Sequence, residues 1–216
     1  MKTKTLLIRY DEIGLKGRNR RHFENQLVSN IRYALRDIKN IKIDKIHGRI
    51  LGRVDLTDAE KCTSRLTQIP GIASISIGNS MEPDFDKIAQ LGISLIQSKL
   101  QVLGKLKFCV RTRRSNKSFP FTSKEFDFEV GSRIMEALSS NGLSVDINRA
   151  DFVLEVEIGP QKTIVFDNRV SGLKGLPVGS SGQVLSLLSG GIDSPVSTFK
   201  LINRGCRVHS VFFDNR

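Results

Sequence analysis

The residues best suited to chemistry lie near the end of the sequence, in the segment Ser189-Gly190-Gly191-Ile192-Asp193-Ser194-Pro195. The apolar run at 184–188 predicts a strand buried on both faces, and 195–203 predicts a helix. Because glycines carry no side chain, an anion can approach the backbone N–H groups closely. The start of the helix adds free N–H groups and a dipole that favours negative charge. The segment therefore predicts a phosphate-binding turn.

Side chains in this turn add hydrogen-bonding capacity. Ser189 and Ser194 can donate their hydroxyls to phosphate oxygens. Pro195 suits the first helical position, which makes Ser194 the expected N-cap. No lysine follows the glycines, so the turn is not the GxxxxGK[ST] loop of common NTPases, and it is not GxGxxG either.

The pattern SGGxDS resembles the PP-loop of the ATP pyrophosphatase family, which holds pyrophosphate and adenylates a carbonyl oxygen. Within that resemblance, ATP and Mg²⁺ are the expected cofactors, and Asp193 lies beside the phosphates as the catalytic residue, where it could bridge to Mg²⁺ or cap the helix. The nucleotide is expected across the carboxyl ends of the strands. The implied nucleotide-binding residues are Leu187, Leu188, Ser189, Gly190, Gly191, Ile192, Asp193, Ser194, Phe212 and Phe213. Plain core packing is the alternative for the two leucines and the two phenylalanines.

The elements that precede this turn form two patterns. The first has the order β-α-β-β-α-β, which is typical of a ferredoxin-like fold. Its strands are predicted at 5–10, 41–46, 49–54 and 72–77, and its helices at 21–38 and 58–68. A second α/β pattern follows, with helices near 88–103 and 126–138 and strands near 107–111, 145–147, 152–158 and 163–166.

These patterns predict an α/β protein with several domains. A ferredoxin-like domain is expected at 1–79 and a second α/β domain at 80–168, with a start near residue 60 as its alternative. Glycines and a proline make 169–182 the best linker candidate, although one long surface loop inside a domain fits the composition as well. Residues 183–216 predict the opening of a doubly wound parallel sheet. Two strands and one helix cannot bury their own faces, so we expect the sequence to stop within that domain.

The net charge of the chain indicates which class of partner it binds. The chain carries 34 Lys and Arg against 22 Asp and Glu, a net charge of +12. A basic surface gains affinity for nucleic acid by releasing counterions from phosphates, and an anionic membrane surface ranks second. Two clusters are candidates for RNA binding, and a solvated charged face is the alternative for each. One comprises Lys107, Arg111, Arg113, Arg114 and Lys117, with Phe119 and Phe121 close by for base stacking; the other comprises Lys16, Arg18, Arg20 and Arg21.

Three stretches resemble the tRNA 4-thiouridine synthetase (tRNA sulfurtransferase) family. They are RYDEIGLKGRNR at 9–20, DFVLEVE at 151–157, and GLPVG at 175–179 followed by LLSGGIDSPV at 187–196. The resemblance covers the chain as an N-terminal part of the family pattern, and it identifies 80–168 as a THUMP RNA-binding domain. One departure is Arg149-Ala150, where the family usually has Asn-Pro.

The resemblance implies a reaction in two steps. ATP adenylates the carbonyl oxygen at C4 of a tRNA uridine, and a protein persulfide then attacks that carbon. The implied partners are tRNA, a cysteine desulfurase or other persulfide donor, and a second copy in a homodimer. The family also supplies sulfur for the thiazole of thiamine in many bacteria. The family's sulfur-carrying cysteine has no match in Cys62, Cys109 or Cys206, so the chain alone is expected to be inactive.

Two other functions fit parts of the sequence. A truncated, non-catalytic THUMP-type protein would hold tRNA without chemistry, and a PP-loop enzyme could instead act on a small metabolite. The scattered cysteines form no Cys/His metal spacing, so no metal site of the protein's own is expected. No apolar run reaches the roughly 20 residues of a membrane span, and the start is too short for a signal peptide core. A cytoplasmic protein with no membrane contact is expected.

Overall fold

The computed structural model describes residues 3–46, 48–115, 119–139, 142–160 and 162–214. The chain divides into two compact units. The first comprises residues up to 77 together with those from 169 onward, and the second comprises residues 78–168. Helices and strands alternate in both units, which confirms the predicted α/β class.

The first unit begins with the predicted order of strands and helices. Its elements are β1 (Thr3–Arg9), short 3₁₀ turns at Glu12–Leu15 and Gly17–Asn19, α1 (Arg20–Ala34), β2 (Lys42–Ile46), β3 (Arg49–Asp55), a 3₁₀ turn at Leu56–Asp58, α2 (Ala59–Leu66) and β4 (Ser74–Met81). From Gly78 onward, β4 belongs to the second unit. The strands are ordered β2-β3-β1-β4, and β3 pairs antiparallel with both β1 and β2. Apolar residues at helical spacing place one face of α1 in the core, where Leu27 and Ile31 are fully buried.

The second unit contains two helices and the strands that they cover. Its elements are α3 (Phe85–Leu103), β5 (Leu106–Arg114), α4 (Ser123–Leu138), β6 (Leu143–Val145), β7 (Phe152–Ile158) and β8 (Thr163–Phe166). The strand order is β8-β7-β5-β6, with β5 parallel to both of its neighbours. A capping box starts α4: the Glu125 amide donates to Thr122 Oγ1 at 3.2 Å, and the Thr122 amide donates to Glu125 Oε2 at 2.7 Å.

One strand lies two residues earlier than predicted. The sequence favoured 145–147, whereas the structure has β6 at Leu143–Val145. The Asp146 carboxylate accepts from the amides of Asn148 and Arg149 at 3.1 and 2.8 Å. This turn, closed by the aspartate side chain, ends the strand and leaves Ile147 exposed.

The segment predicted as a linker is ordered against the ferredoxin-like fold. It begins with β9 (Val170–Ser171), which pairs antiparallel with β4. The Gly172 amide donates to Ala73 O at 3.0 Å, and the Lys174 amide donates to Ile72 O at 2.8 Å. A Cβ at Gly172 would lie 2.4 Å from Ile72 O, so this approach requires glycine.

The chain then forms β10 (Gln183–Leu188), α5 (Asp193–Asn203) and β11 (Arg207–Phe212). The two strands are parallel, with Gln183 opposite Arg207 and Leu188 opposite Phe212. The prediction that β10 is buried on both faces is wrong for the described part of the chain, since Leu185 and Leu187 are 66% and 63% exposed. There, β11 is its one neighbouring strand and α5 covers one face. In the ranges that the structure describes, no helix is both long and apolar enough to cross a bilayer.

The second unit offers a matched test of its core. Phe126 is fully buried and packs against Phe85 and Phe119, whereas Phe128 on the same helix is 72% exposed. Phe126→Ala should lower the free energy of unfolding by about 3–5 kcal/mol because it leaves a cavity. Phe128→Ala should change it by less than about 0.5 kcal/mol. Urea denaturation followed by circular dichroism measures both, and equal losses would contradict this assignment of the core.

Candidate functional site

A glycine loop, defined here as residues 189–192, connects the carboxyl end of β10 to the start of α5. All four of its residues are exposed. The β-α-β order places the loop at the carboxyl edge of a parallel pair of strands, which is where open α/β sheets place ligands. The predicted turn between strand and helix is therefore present.

Two serine side chains brace the loop from within. Ser194 Oγ accepts from the Ser189 amide at 3.0 Å and lies 3.1 Å from Ser189 Oγ. Ser189 Oγ in turn accepts from the Gly191 amide at 3.3 Å. These bonds fix the path of the loop without using the amides around Ile192.

The predicted N-cap is wrong. The helix begins at Asp193, Ile192 occupies the N-cap position without a side-chain bond, and Pro195 is the third helical residue. Ser194 lies inside the first turn, and its hydroxyl faces the glycine loop instead of the helix amides. The helix N-terminus consequently has no side-chain cap, so its first N–H groups stay available.

Four amides at this helix start have no protein acceptor. Among the hydrogen bonds of the described residues, none is donated by the backbone N–H groups of Gly190, Ile192, Asp193 or Ser194. Gly190, Ile192 and Asp193 are exposed and Ser194 is half-buried; together with the dipole of α5, their four N–H groups form an arrangement suited to an anion.

The glycines leave room in front of these amides. A Cβ at Gly190 would meet no atom within 4 Å, and one at Gly191 would meet Ser189 Oγ at 3.5 Å. Neither residue has a positive φ. Since neither the backbone conformation nor packing within the described chain requires glycine here, the missing side chains matter for what approaches from outside.

The start of α5 is also tied to β10. Thr198 Oγ1 lies 2.5 Å from Ser186 Oγ, and it donates to Ser194 O at 2.8 Å. Ser186 is buried, so this contact lies on the covered face of the strand. The helix and the strand on either side of the glycine loop are thus joined by a polar contact as well as by the chain.

The other predicted nucleotide-binding residues lie at the same edge. Leu187 pairs with Val211 and Leu188 with Phe212, so the carboxyl ends of both strands are adjacent. Leu187, Ile192, Phe212 and Phe213 are between 62% and 78% exposed, and Leu188 is half-buried. In the described part of the chain they are apolar side chains at the carboxyl edge of the strand pair and not a packed core: Leu188 and its register partner Phe212 lie on one face, and Leu187 lies on the other. Asp193 is exposed at the first helical position, and no group of His, Cys, Asp and Glu there is arranged to hold a metal by itself.

Side chains alternate between the two faces of β5, and this alternation divides the basic cluster of the second unit. Lys107, Arg111 and Arg113 are exposed on one face of the strand. Glu155 and Glu157 on β7 are the register partners of Arg111 and Arg113, so acidic side chains accompany this row. Lys107 Nζ lies 3.3 Å from Asp146 Oδ2. Lys117 lies outside the described residues.

Arg114 has a different environment from the other arginines. It is half-buried, and its Nη1 donates to Phe119 O at 3.2 Å and also to Phe121 O. Phe119 and Phe121 pack with Phe85 and Phe126, at centroid distances between 4.8 and 5.9 Å. Arg114 therefore holds the loop before α4, and the two phenylalanines predicted to stack on bases pack on protein rings.

The cluster in the first unit is divided in the same way. Arg18 and Arg21 are exposed, and Lys16 Nζ lies 5.0 Å from the centre of the Phe23 ring. Arg20 donates from Nε to Glu24 Oε1 and from Nη2 to Tyr10 Oη, each at 2.8 Å. Arg20 is therefore committed to a protein network.

Tyr10 and Glu24 form the buried end of that network, where the tyrosine hydroxyl donates to Glu24 Oε1. Burial and the bond to Glu24 raise the pKa of Tyr10. Burial acts to raise the pKa of Glu24, but the hydrogen bonds from Tyr10 and Arg20 outweigh it and hold that pKa below its ordinary value. Lys45 Nζ adds an ion pair at 3.6 Å. Sequence reasoning missed this network, because Arg20 looks like its basic neighbours.

Known families match the chain in three consecutive parts. The ThiI ferredoxin-like domain matches residues 5–76, the THUMP domain matches 82–166, and the Thiamine biosynthesis protein (ThiI) family matches 179–216.

Curated relatives and solved structures agree with these matches. A probable tRNA sulfurtransferase of Alkaliphilus oremlandii is 39% identical over 209 residues, which cover 96% of this chain and 53% of the relative. The chain spans about half the length of the curated relatives it matches. PH1313 of Pyrococcus horikoshii superposes with a TM-score of 0.87 at 29% identity, over 99% of this chain and 69% of that one. A 4-thiouridine synthetase in complex with RNA and bound ATP superposes with a TM-score of 0.78 at 33% identity, over 99% of this chain and 53% of that one.

The two neighbouring arginines of β5 should behave differently. Arg114→Ala should speed amide hydrogen exchange about tenfold or more between Phe119 and Phe126, because the loop loses the guanidinium that holds two of its carbonyls. Arg113→Ala is the matched control and should leave exchange there unchanged. Hydrogen exchange with mass spectrometry measures both, and equal effects would refute the role of Arg114.

The Glu24 network should give an acid-dependent stability. Because its folded pKa is lowered, the ionised carboxylate stabilises the fold above its unfolded pKa of about 4.3, and this is lost as the pH falls. Glu24→Gln should cost about 1–3 kcal/mol at pH 7 and progressively less toward pH 3. Urea denaturation across that range measures the difference, with exposed Glu136→Gln as control. A cost that does not change with pH would contradict the lowered pKa.

Proposed function

Because this chain belongs to the tRNA sulfurtransferase family, we propose that it is part of an ATP-dependent enzyme that makes 4-thiouridine in tRNA. The observation that carries the proposal is the set of four unbonded amides at the start of α5, three of them on exposed residues and the fourth on half-buried Ser194. The polar braces of the loop leave those amides free, and the glycines leave them approachable. The proposed occupant is the triphosphate of ATP, with the base at the apolar carboxyl edge of the strand pair, where Leu188 and its register partner Phe212 share a face.

In the first proposed step, the oxygen at C4 of a uridine attacks the α-phosphorus of ATP. The bond from that phosphorus to the pyrophosphate breaks, and the uridine loses its N3 proton. Negative charge then builds on the departing pyrophosphate. The amides of Gly190, Ile192, Asp193 and Ser194 are fixed in advance, so they stabilise this charge without a reorganisation cost.

Asp193 is the residue that would hold a magnesium ion near the phosphates. Its carboxylate is exposed at the first helical position, next to the free amides, and an oxygen ligand of this kind suits Mg²⁺. When bound, the ion would neutralise part of the phosphate charge. A single protein carboxylate is sufficient for a magnesium ion whose other ligands come mainly from the nucleotide.

In the second proposed step, the outer sulfur of a persulfide attacks C4 and AMP leaves. A second thiol of the sulfur donor then attacks the inner sulfur, so that the S–S bond breaks, the outer sulfur stays on C4 and a disulfide forms on the donor. Cys62, Cys109 and Cys206 are buried, and burial raises the pKa of the first two thiols. Buried thiols of raised pKa are poor nucleophiles. We therefore propose that the persulfide forms on a different cysteine. That cysteine belongs either to the complete enzyme or to a donor protein such as a cysteine desulfurase. Sulfur supply for the thiazole of thiamine is a second use of the same chemistry.

The basic side chains that remain exposed are the proposed contacts to tRNA. They are Arg18 and Arg21 in the first unit and Lys107, Arg111 and Arg113 in the second. Arg20 and Arg114 support the same surfaces from protein contacts of their own.

The nucleotide site can be tested with one added methyl group. Gly190→Ala should weaken ATP binding about tenfold or more in the full protein, because the methyl group enters the space in front of the amides. Its thermal midpoint should stay unchanged, since that Cβ meets no protein atom. Gly131→Ala, in α4 with its nearest atom at 3.9 Å, is the control. Isothermal titration calorimetry with ATP decides, and unchanged affinity in Gly190→Ala would exclude the glycine loop as the phosphate site.

The RNA surface can be tested by salt dependence. Arg111→Ala with Arg113→Ala should weaken tRNA binding and flatten the log–log salt slope by up to about 0.9 for each duplex phosphate that the variant no longer neutralises. Exposed Lys61→Ala with Lys87→Ala removes the same charge elsewhere and should leave the slope nearly unchanged. Filter binding from about 50 to 200 mM salt measures both. Equal slopes in the two double variants would show that the β5 arginines are a solvated face.

A further inference from the structure

An ion pair joins the far end of α5 to residues 12–21, called the basic loop here, which carry the first basic cluster in two 3₁₀ turns and the start of α1. Arg204, directly after the helix, donates from Nη1 to Glu12 Oε1 at 3.0 Å and to Glu12 Oε2 at 2.8 Å. The two residues are 192 positions apart and lie in the same compact unit. Among the described residues, the side chains of Glu12 and Arg204 form their hydrogen bonds with each other.

The Glu12 side of this contact supports the basic loop. Glu12 opens the 3₁₀ turn Glu12–Leu15, and Lys16 caps it by donating its amide to Ile13 O. Ile13 is fully buried, so the turn has one anchor in the core. Arg18 and Arg21 follow directly and have no described side-chain partner. A shift at Glu12 is therefore passed to the residues proposed to meet RNA.

The Arg204 side of the contact supports the glycine loop. The helix α5 has 11 residues, which span about 16 Å, and its other end is the set of free amides. The end near Arg204 is held by the segment 175–182. The Leu176 amide donates to Asn203 O at 3.0 Å, and the Gly179 and Ser181 amides both donate to Gly205 O.

The segment 175–182 is itself bonded to the ferredoxin-like fold, and it packs closely against the end of α5. Asn30 Nδ2 donates to Val178 O at 3.1 Å. A Cβ at Gly175 would lie 2.2 Å from Asn203 O. The helix end therefore has main-chain contacts in one direction and, among the described residues, a single side-chain contact, Arg204 to Glu12, toward the basic loop.

We propose that Glu12 and Arg204 are positioning residues that couple nucleotide binding at the glycine loop to RNA binding at the basic loop. This coupling rests on the proposed function. Filling the amides with phosphate fixes α5 along its axis, and the ion pair transmits that position to the turn Glu12–Leu15, which directly precedes the 3₁₀ turn with Arg18 and the start of α1 with Arg21. Thermodynamic linkage makes the effect reciprocal. Since Arg204 and Glu12 are 57% and 35% exposed, we expect a coupling factor of about two- to fivefold.

The test measures coupling in the complete protein with a non-hydrolysable ATP analogue and an unmodified tRNA transcript. Each affinity is determined by titration with and without the other ligand, for the wild type, Glu12→Gln, Arg204→Gln and the exchanged pair Glu12→Arg with Arg204→Glu. The single variants should keep each separate affinity within about twofold and lose the coupling factor. The exchanged pair should regain it, which a loss of general stability would not produce.

Three outcomes separate the hypotheses. A wild type that binds neither ligand refutes the proposed function and the coupling with it. A wild type that binds both ligands independently, or single variants that keep the coupling factor, refutes the coupling alone. If a single variant fails to fold, hydrogen exchange on the wild type decides: the nucleotide analogue should slow exchange at residues 12–21, and no change there overturns the proposal.

Discussion

The candidate site depends on one arrangement of hydrogen bonds at the start of α5. Backbone amides in an exposed loop are usually bonded within the chain or to water, and here side chains do the bracing instead. Ser189 and Ser194 bond each other and the amides of Ser189 and Gly191, so the loop keeps its path while the amides beyond it stay free. A helix with an ordinary serine cap would have used one of those amides itself. The free amides therefore exist because Ser194 faces the glycine loop and leaves the helix uncapped.

The rest of the first unit holds this helix in place. Residues 170–182 bond first to the ferredoxin-like fold and then to the end of α5, so the segment is a structured support. Glycines allow both approaches, because a Cβ at Gly172 or Gly175 would lie within 2.4 Å of a carbonyl oxygen. In the second unit, the α4 capping box and the Arg114 contacts fix the loop next to the basic row of β5. Positioning in the first unit thus comes from contacts between segments distant in sequence, and in the second unit from polar contacts between near neighbours in sequence.

Sequence reasoning succeeded where one local signal dominates. Periodic apolar residues predicted α1 and its buried face, and the strand–glycine–helix order predicted the loop between β10 and α5. It failed where residues of one type have different partners. Residue type alone did not separate Arg20 and Arg114 from Arg21 and Arg113. The i,i+4 spacing of Arg20 and Glu24 was a signal in the sequence, whereas the carbonyls that bind Arg114 are recognised only once the chain is folded. The expected Ser194 cap was wrong for the same reason: its competing partner, Ser189, follows from the tight path of the loop. The glycine-rich composition of 169–182 could not show whether its glycines give flexibility or close approach.

Four particular amides are proposed to receive the phosphates of a nucleotide, and the proposed chemistry depends on them. The most direct measurement is a titration of the isotope-labelled protein with ATP, following the ¹H–¹⁵N resonance of each backbone amide. We expect the largest shifts at Gly190, Ile192, Asp193 and Ser194, with downfield amide protons typical of bonds to an anion. Saturating shifts elsewhere, with these four resonances unmoved, would contradict the assignment.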